Sequence, residues 1–321
     1  MTVSVVMATY NRRALLPEVL DPLLADPAAL EVLVVVDGCR DGSIEYLRDR
    51  AAADPRLRPR WIDNSGAVAA QQTGVEAARG DVVLVIDDDV LAEPGLVSGH
   101  LRHHESAGDL VVVGYMPTPR PQRRAPGSFT SELYHDVYEY RCAAWEAGAD
   151  VLAGLWGGNV SVGREALLAN GGIGGDHSLP YHYDWELGLR LKRAGLRGRF
   201  DRSLRARHLH ERSYAAFKRE ARAQGRAMWL IEHQHAGGVS ANEIRERWSE
   251  RPAVGALVEL TDRPRLYRAA SRGLDAAVLT AGRLHAFCLE RKLASLLGHV
   301  ERRRGEYEQS RRTPRPARWA P

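Results

Sequence analysis

A run of strand length, Gly80-Asp81-Val82-Val83-Leu84-Val85-Ile86, ends in three successive carboxylates, Asp87, Asp88 and Asp89. Val82 to Ile86 are apolar without alternation, the pattern of a strand covered on both faces in a parallel sheet. Such a strand delivers its functional side chains at its carboxyl end, where open α/β sheets bind ligands. Three acids at that point repel one another and raise one another's pKa unless a cation stands among them. Oxygen donors of this kind suit Mg²⁺ or Mn²⁺, ions that commonly bridge carboxylates to substrate phosphates. An acidic turn capping the next helix would carry the same three letters, so the assignment rests on what surrounds it.

The surroundings alternate strand and helix. Val3 to Met7, Glu31 to Val36 and Leu57 to Ile62 read as strands. Arg13 to Ala25, Ser43 to Ala53 and Ala67 to Ala78 read as helices, with Pro17 and Pro22 expected near a helix start or a bend. With the Val82 strand this is a βαβαβαβ order, which argues for a doubly wound, mostly parallel sheet. Residues 115–129 are rich in proline and arginine and read as an exposed loop. Glu132 to Trp145 has helical spacing, and Gly154 to Asn159 leads into a short strand and the helix Arg164 to Asn170, closed by Gly171-Gly172. Asp184 to Ala194 is a further amphipathic helix. Beyond Arg207 the chain turns helix-rich and arginine-rich, with an apolar stripe of Leu284, Phe287, Cys288, Leu293, Leu296, Leu297 and Val300 that calls for a packing partner.

Composition sets outer limits. A chain of 321 residues, 44% hydrophobic and 27% charged, is ordinary for a soluble globular protein. A net charge of +4 mildly favours anionic partners. The basic residues lack the aromatic interleaving of a nucleic-acid surface, so that class ranks last. Three cysteines without CxxC spacing indicate neither a disulfide framework nor a zinc site, and a reducing cytoplasm is expected. No signal-peptide pattern opens the chain, and no apolar run approaches the roughly 20 residues of a spanning helix.

Polar groups gather at the ends of the other strands. Ala8-Thr9-Tyr10-Asn11-Arg12 ends strand one with polar groups placed to line a base pocket. Asp37 follows strand two, where it can accept from a ring N–H of a base such as uracil, and Asp41 is placed to cap the following helix. Asn64-Ser65-Gly66 precedes the third helix, suited either to a turn or to closing over the base. The spacing Asp87-x-Asp89 lets one carboxylate hold a ribose and the other a metal ion on a diphosphate.

These stretches carry a resemblance. ATYNR, VDGCRDGS, NSGAVAAQQTGVEAARGDVVLVIDDD, GGNVSVGREALLANGG and YDWELGLRLKRAG make the chain resemble a family 2 glycosyltransferase of GT-A fold, over roughly residues 3 to 212. The resemblance implies an inverting transferase that uses a nucleoside-diphosphate sugar, with uridine as the expected base, and Mg²⁺ or Mn²⁺. By position it puts Thr9, Tyr10, Asn11, Asp37 and Asn64 around the nucleoside. It puts Asp87 and Asp88 at the ribose or the outer shell of the metal, and Asp89 on the metal. Asp184 falls on the family's catalytic base, at a helix start where burial beside Trp185 raises basicity. Asp184 at an N-cap and Glu186 in the first turn also suit the helix dipole. Trp156, Gly157, Gly158, Trp185 and Glu186 are assigned to the acceptor side. A histidine after the Ser203 to Arg207 segment is expected to complete the metal site, either His208 or His210, on the argument that the two rings point to opposite sides. The other histidines, His103-His104 and His233-x-His235 among them, are read as surface or core residues.

Departures from the family pattern bear on the donor. Gln71-Gln72 stands where a basic residue is common, Val36 where a second Asp is common, and Tyr183 where Glu is usual. The processive signature QxxRW is absent, which favours single-sugar transfer. A sugar nucleotidyltransferase would need a glycine-rich phosphate loop after strand one, and a dinucleotide-binding dehydrogenase a GxGxxG there; ATYNR supplies neither. A catalytically inactive nucleotide-sugar-binding subunit would be expected to lose Asp89 or Asp184, and both are present. The expected organisation is a GT-A catalytic domain over residues 1–212, a helical extension over 213–310 packing on it, and a disordered basic tail over 311–321. The acceptor is a small molecule, glycan, lipid-linked species or peptide. A peripheral membrane contact through Arg302-Arg303-Arg304 and the tail is the alternative use of the C-terminal region.

Overall fold

Strand β1 (Val3–Thr9) is the axis of the sheet, and its residues from Val3 to Met7 are buried. The computed structural model describes residues 1–175, 179–210, 212–235 and 252–313. β1 pairs in parallel with β2 (Ala29–Asp37) on one side and with β4 (Val82–Ile86) on the other, while β2 pairs in parallel with β3 (Leu57–Ile62). The chain therefore winds outward from β1 to β3 and then reverses to place β4 on β1's other flank. A crevice opens at such a reversal, outside the carboxyl ends of the two strands. Helices α1 (Leu16–Ala25), α2 (Ser43–Ala53) and α3 (Ala67–Ala77) make the crossovers. Pro17 sits at the start of α1 as expected, but Pro22 lies inside it. Burial of the flanking Leu20, Leu23 and Leu24 holds that helix together across the missing N–H.

The second half of the sheet is mixed. β5 (Val90–Ala92), α4 (Leu96–Ser106) and β6 (Leu110–Tyr115) follow β4, in a stretch to which the sequence assigned no element. After α5 (Phe129–Glu146) come β7 (Asn159–Gly163), α6 (Arg164–Ala169), α7 (Tyr183–Arg193) and β8 (Arg197–His208). Among the described residues the strand order is β3-β2-β1-β4-β7-β6-β8-β5. β7 runs antiparallel to both β4 and β6, and β8 runs parallel to β6 and antiparallel to β5. The sheet is thus largely parallel only through its first four strands, the expected α/β arrangement with an antiparallel insertion.

The chain forms two compact units. The first comprises Met1–Pro119, Tyr138–Ser178 and Tyr183–His210; the second comprises Arg120–Val137, Leu179–His182 and Glu211–Pro321. In the second unit α8 (Tyr214–Gln234) runs against α11 (Phe287–Arg312), with α9 (Pro252–Glu259) and α10 (Pro264–Arg283) completing it. α8 and α11 touch backbone to backbone: a side chain at Gly225 would strike the carbonyl of Arg302, and one at Gly305 that of Arg222. Glu301, fully buried, accepts from Arg222, from the Tyr267 hydroxyl and from Ser271 Oγ at 2.8 Å. Of the apolar stripe, Leu297 and Val300 are buried and Leu293 packs beside Phe129, Val278 and Ala294. Leu284 and Cys288 are exposed instead, because Leu284 lies past the end of α10 and Cys288 in the outward first turn of α11. Arg311 and Arg312 finish α11 rather than begin a tail; residues 314–321 lie outside the described residues.

Under the mixed half of the sheet lies a buried polar cluster from α4 and β7. His100 places Nδ1 2.8 Å from Ser161 Oγ and Nε2 2.9 Å from Asn159 Oδ1, and His104 Nε2 is 2.8 Å from the same serine. Burial pushes His100 down to about 3 and His104 down to about 4. Both rings are neutral in the folded protein, whereas in the unfolded chain they titrate near pH 6.5. Below that pH the unfolded chain binds more protons than the folded one, so this stability is present above about pH 6.5 and is lost as the pH falls towards 4. Each ring contributes up to about 1.4 kcal/mol per pH unit in that window. Urea titrations at pH 7, 6 and 5 should show a flatter pH dependence for H100Q/H104Q than for the native chain. An unchanged slope would refute this account.

Candidate functional site

Strand register builds the site. β4 delivers Asp87 to Asp89 at its carboxyl end, and the antiparallel pairing of Ile86 with Asn159 draws Gly157 and Gly158 alongside them. The N–H of Asp87 donates to the Gly158 carbonyl at 3.3 Å. Gly158 has φ +94°, and a Cβ there would stand 2.8 Å from Asp87 Oδ2 and 2.9 Å from Met116 Cε, so the position needs glycine. The N–H of Gly157 donates to Asp184 Oδ2 at 2.7 Å, and that of Trp185 to Asp184 Oδ1 at 2.9 Å. Two consecutive glycines therefore link the acid run on β4 to the first turn of α7.

A second register closes the other side. Pairing of Val90 with His208 brings the end of β8 to the acid run, where Leu209 N–H donates to the Asp89 carbonyl at 2.7 Å. His208 Nε2 stands 3.3 Å from Asp89 Oδ1, and its Nδ1 stands 3.3 Å from the Thr118 hydroxyl. From the loop after β1, Arg12 reaches Asp88 with Nε at 3.4 Å and Asp89 with Nη1 at 3.1 Å.

Electrostatics follow from this crowding. Asp87 is pushed up to about 7 by burial and by the charges of Asp89, Asp88 and Asp184, against the pull of His208. Gln71 on α3 donates to it at 3.3 Å in place of a cation. Burial also raises Asp88, opposed by Arg12 and by the Thr9 hydroxyl. Burial raises Asp184 as well, against the N–H bonds from Gly157 and Trp185 and the charge of Arg141. A cavity of about 30 Å³ beside Asp184 is walled by Leu155, Val160 and Leu187, an apolar surface that accounts for this desolvation.

The nucleoside-side residues form a cross-braced pair of loops. Asp37 accepts from the N–H groups of Ser65 at 2.6 Å and Gly66 at 2.9 Å, and Asn64 Nδ2 donates to its carbonyl at 3.1 Å. Asn11, at φ 53°, takes the N–H of Arg40 on its Oδ1 and donates its own N–H to Cys39 Sγ. Gly38, at φ +69°, lets the two loops touch: a Cβ would lie 2.8 Å from Asn64 Cβ. Gly42 holds the N-cap position of α2, and Asp41 just before it accepts from the N–H and hydroxyl of Ser43 and from the N–H of Arg13. Thr9 is buried and Tyr10 is 53% exposed at the mouth.

Several expectations need correction. The rings of His208 and His210 lie on the same side, with centroids 5.4 Å apart, because residues two apart on an extended chain share a face. His208 is the one set against Asp89. Trp185 and Glu186, assigned to the acceptor side, are buried, at 4% and 1% exposure. Glu186 instead grips Arg190 at 2.7 Å, and Arg190 donates to the carbonyls of Asn170, Gly172 and Ile173. Trp156 is half-buried and meets Tyr138 edge to face at 5.3 Å. Arg12, read from the sequence with the polar groups of a base pocket, meets Asp88 and Asp89 instead, and Gln71, read as a departure from the family pattern, meets Asp87. Thr118 and Arg141 were not singled out and carry no local signal.

The acid–histidine pair suits a divalent ion in chemistry and spacing. Asp89 Oδ1 and His208 Nε2 face each other at a separation fitting neighbouring ligands of one octahedral ion. Thr118 at the far nitrogen is positioned to hold the ring in the ligating tautomer. Among the described residues no group of three His, Cys, Asp or Glu side chains is arranged to hold a metal. The protein side would therefore supply Asp89 and His208, with phosphate and water completing the shell.

Residues 4–145, a little under half of the chain, match the model of Glycosyl transferase family 2. The glucosyl-dolichyl phosphate glucuronosyltransferase of Haloferax volcanii is 30% identical over 184 residues, which span 54% of this chain and 56% of that protein. The undecaprenyl-phosphate 4-deoxy-4-formamido-L-arabinose transferase of Aeromonas hydrophila is 39% identical over 98 residues, 29% of this chain and 30% of that one. The match thus covers about half the length of the first relative and less of the second. Among solved structures, a mannosyltransferase from Pyrobaculum calidifontis, in complex with GDP-Man and Mn²⁺, superposes with a TM-score of 0.60 at 18% identity, over 95% of this chain and 86% of that one. That likeness establishes the fold, a GT-A arrangement with a C-terminal helical extension.

Glu186→Gln should lower the unfolding free energy by about 1–3 kcal/mol, since it weakens a buried charged grip on the turn at 170–173. Nucleotide affinity should stay within about twofold once folding is accounted for. Normal stability combined with a lost acceptor response would restore a direct acceptor role.

Proposed function

We propose that this chain is an inverting, metal-dependent glycosyltransferase that moves a single sugar from a nucleoside-diphosphate sugar, with uridine as the expected base, to a nucleophile on an acceptor. The observation that carries the reading is the bridge formed by Gly157 and Gly158 between the Asp87–Asp89 run and Asp184. It ties a fourth carboxylate, held by two backbone N–H groups, to a cluster suited to a diphosphate and its counterion. Burial raises the pKa of Asp184, and a more basic carboxylate is a better proton acceptor. In the proposed step the acceptor hydroxyl gives its proton to Asp184 as its oxygen bonds to the anomeric carbon. The bond from that carbon to the diphosphate oxygen breaks on the opposite face. Arg12 and Gln71 hold the acid run in place. A divalent ion on Asp89 and His208 would offset charge on the departing diphosphate.

For the acceptor, a polyprenyl-phosphate-linked molecule is the first class to test, because the names of two relatives specify dolichyl and undecaprenyl phosphates. No described helix is long and apolar enough to cross a membrane. All three cysteines are free, which supports the cytoplasmic expectation.

Asp184→Asn should retain donor affinity and lose on the order of 10²–10⁴ in transfer rate, measured with a panel of nucleotide sugars and lipid-phosphate acceptors. Normal transfer by this variant, or a product that keeps the donor's anomeric configuration, would overturn the mechanism. Separately, Asp89→Ala should abolish Mn²⁺-dependent nucleotide binding in calorimetry with the fold intact. Unchanged affinity would sink the metal assignment.

A further inference from the structure

The arginine triplet at 302–304 is spent inside its own unit. Arg303 pairs with Asp262 at 2.6 Å and Glu306 at 3.1 Å, and Arg304 pairs with Glu308 at 2.9 Å while lying over Tyr267. Arg302 donates to Gln224 at 3.1 Å. These side chains cannot also serve as the surface contact that the sequence suggested for them.

The outward face of α10 is built differently. Arg265, Arg268, Arg272 and Arg283 are all exposed along it, at helical spacing that places them on one side. Among the described residues none of the four has an ion-pair or hydrogen-bond partner. The helix contains a single acid, Asp275, which faces inward to Tyr214 and Lys218. Leucines flank the basic row: Leu266 is 43% exposed and Leu279 47%, while Leu284 just past the helix end is 73% exposed and Leu289 in the next helix 52%. Exposed leucines around unpaired arginines have no use in binding a polyphosphate backbone. They suit a surface that is anionic outside and apolar beneath.

We propose that the exposed face of α10, with Leu284 and Leu289 at its end, is a docking surface for an anionic phospholipid bilayer. The arginines meet lipid phosphates and the leucines enter the boundary between headgroups and acyl chains. This is a helix that lies on the membrane rather than one that crosses it. The proposal does not depend on which donor or acceptor the enzyme uses.

Flotation of the full chain with vesicles of phosphatidylcholine, or of phosphatidylcholine with about one third phosphatidylglycerol, tests it. The native chain should float with the anionic vesicles only, and added salt should weaken the association. Each arginine near an anionic surface is worth roughly fivefold in partitioning, so R265Q/R268Q/R272Q/R283Q should lower binding at least tenfold. A control that removes four unpaired surface arginines elsewhere, R48Q/R60Q/R193Q/R199Q, should lower it far less. L266S/L279S should weaken binding with no change in net charge. Equal losses in the α10 variant and the control, or no flotation of the native chain, would overturn the proposal. Binding to a short DNA duplex but not to vesicles would assign the face to nucleic acid and overturn it equally. Matched thermal midpoints confirm that each variant is folded.

Discussion

Everything at the site answers to one difficulty: three carboxylates stand at the end of a strand whose own residues are buried. Removing such charges from water is costly unless partners replace the lost hydration. The protein meets part of that demand with Arg12 from the loop after β1, His208 from the end of β8 and Gln71 from α3. It leaves the rest unmet at Asp87, which is pushed up to about 7. The antiparallel turn of β7 against β4 then brings a fourth acid, Asp184, within electrostatic reach of the other three. Such a concentration of buried, mutually perturbed carboxylates marks this place as the candidate functional site.

The parts of this arrangement that were legible in the sequence are those written locally. β1 to β4 and helices α2 and α3 each carry their own apolar pattern and turn residues, so their order could be read directly. The stretch 90–115 gave nothing, for physical reasons. β5 is three residues long and exists only because β8 pairs with it, and α4 buries His100 and His104 where a reader looks for leucines. Asp184 was visible because its motif surrounds it. The buried pairing of Glu186 was not, since it depends on Arg190 reaching carbonyls that are distant in sequence.

The histidine pair shows a different kind of miss. His208 and His210 were assigned opposite faces, although an extended chain turns alternate residues to the same face. Once that is respected, choosing between them becomes a question of pairing, and the Val90–His208 register selects His208. The arginines of the second unit show a related effect. A charge cluster in sequence, Arg302 to Arg304, became internal structure, while arginines spread at helical intervals along α10 became the exposed row.

Gly38 has a consequence for the thermodynamics of recognition. With no side chain it allows the loop after β2 to rest on Asn64, and Asp37 fastens the same contact by taking two backbone N–H groups of the loop after β3. Two loops tied in this way have little freedom left to lose when a ligand arrives. A nucleoside entering between them would meet a rigid wall rather than order a flexible one, so the entropic cost of binding falls mainly on the ligand. The same fastening couples the loops mechanically, so a residue inserted into either would disturb both.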